Sequence, residues 1–140
     1  LKILPLSSKH TARLPVFTNY PLFPVNPTKA DTALLSSVCA MSSNIIKDAF
    51  LMSMIDQVDI DRNGNFELIP KLGDQMVLFG DTTDLSNKFE KFKLFYAKVI
   101  PVHGWSKYNK INLQFKNQVI QCSIISLWNI ACIFCIKILN

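Results

Sequence analysis

At 140 residues the chain suits one domain and is long enough to bury a real core. Apolar residues make up 49% and charged residues 18%, a balance that excludes a disordered chain. The net charge of +5 comes from lysines scattered between apolar residues rather than gathered in a block, the pattern of a solvated surface and not of a nucleic-acid partner. The chain opens on Leu1, with no signal peptide or long apolar run before the fold, so targeting information is expected upstream in a longer parent.

In chain order, residues 1–30 carry Pro5, Pro15, Pro21, Pro24 and Pro27 and read as an extended segment leading into the domain. Ala12 to Phe17 is a possible strand in which Pro15 suits an edge. Asp31 is the expected N-cap of a helix through about Phe50, with Leu34, Leu35, Val38, Met41, Ile45 and Ile46 on one apolar face.

The next segment carries a register argument. Val58 to Asp61 alternates, Arg62-Asn63-Gly64 turns, and Asn65 to Ile69 alternates again. A two-residue turn would pair Ile60 with Glu67 and mismatch the faces. A three-residue loop sets Ile60 against Phe66 and Val58 against Leu68, and since a one-residue slip swaps core for water, this register is predicted. It places Asp61 first and Gly64 fourth in a type I turn, with Gly64 free to take positive φ.

Lys71 to Asp74 then turns the chain into a strand over Gln75 to Phe79, stopped by Gly80. Asp81 to Asp84 offers caps for an amphipathic helix to about Ile100. Leu85, Phe89, Phe92, Tyr96 and Val99 form its stripe, and Glu90, Lys91 and Lys98 lie away from it. After Pro101, His103-Gly104-Trp105 reads as loop. A last strand, Lys110 to Val119, has Ile111, Leu113 and Phe115 on one side and Asn112, Gln114 and Lys116 on the other. Few strands joined by short turns or by one helix predict an α+β fold, an antiparallel sheet with two main helices.

Little in this pattern carries chemistry. Asp59 to Gly64 resembles the opening of a calcium loop, but position twelve is Pro70 where a bidentate glutamate is needed. Cys132 to Cys135 has CxxC spacing without a second pair or histidine to complete a metal site. His10 and His103 have no cysteine or acidic residue at ligand spacing, and no phosphate loop or nucleophile elbow occurs. The aromatics Phe89, Phe92, Phe95 and Tyr96 at helical spacing read as core; Trp105 covers the core edge or serves a partner. No enzyme, cofactor or metal is expected.

Several stretches together carry a resemblance. Phe66 to Asp74 (FELIPKLGD), Phe79-Gly80-Asp81, Lys88 to Tyr96 (KFEKFKLFY), Gly104 to Tyr108 (GWSKY) and Ile111 to Val119 (INLQFKNQV) resemble the bacterial cell-division family FtsQ/DivIB, in its Bacteroidetes form. Pro5 to Ser8 and Thr11 to Val16 add to it, so that residues 5–120 match in order. What is preserved resembles the C-terminal β domain alone. The resemblance implies an extracytoplasmic domain of the inner membrane, on its periplasmic side, anchored by an N-terminal helix of the parent protein and working at the septum. It further implies binding of FtsB and FtsL partners by strand addition to an edge at the last strand. An edge strand offers unpaired N–H and C=O groups, and alternate side chains select the partner. The matching positions are Lys110, Asn112, Gln114, Phe115, Lys116 and Gln118, with Phe115 either a contact or a core residue beside Ile111 and Leu113.

The expected organisation is a lead-in over 1–30, the β domain over 31–120, and an apolar tail over 121–140. Cys122 to Leu139 is strongly apolar where the family's pattern stops, and is short for a membrane helix, with Ser123, Ser126, Asn129 and Lys137 inside it. An out-of-frame or read-through end is the preferred origin. A small membrane-associated protein held by that tail is the alternative function.

Overall fold

The computed structural model describes residues 14–21, 28–115, 118–123 and 133–137. Its strands are β1 Val16–Thr18, β2 Ile55–Ile60, β3 Phe66–Pro70, β4 Met76–Gly80, β5 Tyr108–Asn112, β6 Gln118–Ser123 and β7 Ile133–Lys137. They form one sheet whose spatial order is the chain order. The helices are α1 Lys29–Lys47, α2 Ala49–Met54 and α3 Leu85–Leu94, the last running through a π-helical segment, Phe95–Val99, into α4 Ile100–His103. The architecture is α+β with two main helices. Strands joined by turns pair antiparallel, whereas β1–β2 and β4–β5, separated by helical crossovers, pair parallel, as crossover connections require.

Helix α1 begins one turn earlier than Asp31 suggests. Thr28 is the N-cap, and Asp31 closes a capping box: its N–H donates to the Thr28 hydroxyl at 3.3 Å while its carboxylate accepts the Thr28 N–H at 2.8 Å. The helix also ends before Phe50. Asp48 is extended, and its carboxylate accepts the N–H groups of Phe50 and Leu51, so one side chain stops α1 and starts α2.

The β2–β3 hairpin has the expected register, Val58 opposite Leu68 and Ile60 opposite Phe66. Asp61 builds its turn, accepting the N–H groups of Asn63 and Asn65 on one carboxylate oxygen, each at 2.8 Å. Gly64 takes φ +80 and donates to the Asp61 carbonyl. Strand β4 ends on Gly80 rather than before it. The Gln75 just ahead is buried, with the Tyr96 hydroxyl and the Trp105 carbonyl as its partners.

The long helix departs from the expected single stripe. In the π-helical segment the N–H of Ile100 bonds the carbonyl of Phe95, five residues back. This extra residue per turn lets Phe95 and Tyr96 both enter the core beside Phe89, Phe92 and Val99. The segment ends two residues before Pro101, whose missing N–H an ordinary helix would not accommodate, and the helix continues to His103 instead of stopping. Lys91 is buried as well, a correction to its expected place outside the stripe. The core runs from Met41 and Ile45 of α1 through Val58, Leu68, Val77 and Phe79 of the sheet to Ile111, Leu113 and Val119. Phe79 meets Phe89 of α3 with ring centroids 4.8 Å apart.

The strand expected over Lys110–Val119 is not one strand. The ladder of β5 ends at Asn112, the chain turns, and β6 begins at Gln118. Strand β5 lies between β4 and β6, and β6 between β5 and β7, so neither presents the open outer backbone that was expected. Within Cys122–Leu139, where a membrane segment was weighed, the described residues are strand, the end of β6 at Ser123 and β7 over Ile133–Lys137. No helix among the described residues is long and apolar enough to cross a membrane.

Candidate functional site

The end of β5 and the turn after it bring most of the expected residues together. Lys110 and Asn112 share one face of β5, opposite Met76 and Leu78 of β4. Ile111 and Leu113, on the other face, are fully buried, as alternation demands. Leu113 lies past the ladder yet donates its N–H to the Leu78 carbonyl at 2.9 Å. The ladder stops there. The Asn112 side chain accepts the N–H of Gln114 at 2.9 Å, the Asx bond that favours a turn over a continued strand. Alternation lapses there, and Phe115 is not in the core: it is 44% exposed. Lys116 and the side chain of Gln118 lie outside the described residues.

Two supports under this turn had no clear sign in the sequence. Lys91 of α3 donates its ammonium to the carbonyls of Leu113 at 2.9 Å and Phe115 at 2.7 Å. The cation thus replaces strand partners for carbonyls that the turn has removed from the ladder. Burial holds its pKa below the ordinary lysine range, the charge of Lys88 lowers it further, and Asp84 opposes both. Lys88 itself pairs with Asp81 at 2.7 Å and lies over the Phe79 ring. The clue that could have found Lys91 is its place four residues before Phe95, on the face that the π-helical segment turns inward. The second support is Gly80, at φ +78, where an added Cβ would stand 2.8 Å from Cγ of Gln114. The amide of Gln114 therefore lies directly over the end of β4.

The other expected features are placed apart from this turn. Trp105 follows α4, its ring 5.9 Å from that of Tyr96 and 43% exposed, so it both covers the core edge and reaches solvent. His103 ends α4 with its ring 6.0 Å from Tyr108 and its Nδ1 3.2 Å from the Lys107 ammonium. Cys39 is a half-buried free thiol, while His10 and Cys132 lie outside the described residues. Asp59 accepts hydrogen bonds from Thr18 and Asn19 and so ties β1 to β2.

The sequence model of the family described as FtsQ/DivIB, C-terminal related matches residues 1–123. The chain belongs to that family. FtsQ/DivIB proteins are cell-division proteins, and the turn carrying Phe115 falls inside the matched region. The match ends on the last residue of β6, so β7 lies outside it. No curated protein matches the chain.

Proposed function

We propose that this chain is a non-enzymatic, extracytoplasmic binding domain of the division machinery, acting on the periplasmic side of the inner membrane during septum formation. Its partners are FtsB/FtsL-type proteins, which add a strand to the sheet beyond β6. The observation that carries this reading is the position of the β5–β6 hairpin: it closes the family-matched sheet, and its outer strand is the one to which a further antiparallel strand is already added. Main-chain pairing supplies affinity in such complexes, and neighbouring side chains supply choice of partner. Lys110, Asn112, Gln114 and Phe115 line the end of β5 and the turn after it, and with Lys116 and Gln118 are proposed as the selecting contacts.

Calorimetry with FtsB/FtsL-type segments tests the reading. Binding is expected, with Phe115→Ala weakening it about tenfold, the scale of losing one half-exposed aromatic anchor, while the unfolding midpoint barely moves because the ring is outside the core. Absence of binding by any such segment, both to the full chain and to a chain ending after Ser123, sinks the proposal. Unchanged affinity in Phe115→Ala removes that residue from the site.

A further inference from the structure

We propose that β7 is a resident plug: the chain's own segment Ile133–Lys137 occupies the docking edge of β6, and an incoming strand must displace it. This deepens the strand-addition reading and rests on it for its consequence, though the plug itself is separately testable. Strand β7 pairs antiparallel with β6 along its whole length, from Gln118 opposite Lys137 to Cys122 opposite Ile133. Among the described residues it is the one strand that lies entirely beyond the family match. The opposite edge offers no equivalent opening, since β1 is three residues long, follows Pro15 and is tied to β2 through Asp59. A strand supplied in cis competes at the effective concentration set by its tether, so it lowers apparent affinity for any strand in trans by the fraction of time it occupies the edge.

Hydrogen exchange on the full chain tests this. Consecutive N–H groups of a strand point to opposite sides, so either Phe134→Pro or Cys135→Pro removes a donor aimed at β6. At least one of the two variants should exchange the amides of 118–123 at least tenfold faster, with β2, β3 and β4 unchanged. A synthetic peptide of residues 132–138, with both cysteines as serine, should restore protection in that variant and bind it at least tenfold more tightly than the unaltered chain. Unaltered exchange at 118–123 in both variants overturns the plug, as does equal binding of the peptide to altered and unaltered chains. If the peptide behaves as expected but FtsB/FtsL-type segments bind neither chain, the plug stands and the proposed partner falls.

Discussion

At the scale of single residues, the buried ammonium of Lys91 decides the shape of the β5–β6 turn. In Lys91→Met a similar volume stays in place, but the carbonyls of Leu113 and Phe115 lose their donor. Orphaned buried acceptors cost about 1–3 kcal/mol, and relief of the lysine's own desolvation offsets part of it. A net loss of about 1–2 kcal/mol is expected from urea unfolding, with the amides of 113–115 losing protection first. The pH dependence has a definite sign. The folded pKa lies below the unfolded one, so between them the unfolded chain holds more protons and stability rises with pH. That rise, toward pH 10.5, should flatten in Lys91→Met; an equal slope in both proteins would place the titration elsewhere. Gly80 and Gln114 form a second pair. Gly80→Ala forces a side chain at φ +78 and pushes against Gln114, for about 1–3 kcal/mol. Gln114→Ala should recover part of that loss in a double-mutant cycle, and strict additivity would show that the contact carries none of it.

At the scale of elements, the sequence was readable where local chemistry and burial agree. The β2–β3 register followed from matching Ile60 and Val58 to Phe66 and Leu68, because a slip would have turned one strand's apolar pair from core to water. It was unreadable where one side chain overrules a pattern. Asp48 divides a helix whose apolar spacing runs on, Lys91 turns into the core although it stands off the apolar stripe, and Asn112 ends β5 although alternation continues to Phe115. Asp48 also joins layers, since its carboxylate meets the Lys93 ammonium of α3 at 3.1 Å. That bond, with the N–H groups of the α2 start, holds its pKa below the ordinary value, and Lys93 is raised in turn by Glu90 and Asp48. The stability from Asp48 is therefore present above the usual carboxylate range and lost as pH falls through its lowered pKa. That from Lys93 is present below its ordinary value and lost as pH rises through the raised one. Asp48→Asn should shallow the acid limb of a stability–pH curve, while neutral-pH stability falls by about 1 kcal/mol or less. An acid limb as steep as before would assign the dependence to Asp61 and Asp81, whose pKa values are also lowered.

At the scale of the whole molecule, the sheet is a linear array in which each strand rests on its chain neighbours, so its two ends need not matter equally. Strands β2 to β5 hold the fully buried Val58, Leu68, Val77, Phe79 and Ile111, and α1 and α3 close over them with Met41, Ile45, Phe89 and Phe92. From β6, Val119 reaches the same core at 1% exposure, which makes β6 integral to it. A chain ending after Ser123 therefore keeps all of this packing and should still melt in one cooperative transition, read by calorimetry as equal calorimetric and van't Hoff enthalpies. A chain ending after Asn112 removes the buried Leu113 and Val119 and both carbonyl partners of Lys91. Its buried ammonium is left with nothing to donate to, and losing the two apolar side chains costs about 1.5–3 kcal/mol each. Against a total stability of about 5–15 kcal/mol, that combination should abolish the transition. The contrast between the two truncations is the informative result. If both melt cooperatively, β6 is an appendage and strand addition beyond it could not be sensed by the core; if neither does, β7 is part of the fold rather than its cover.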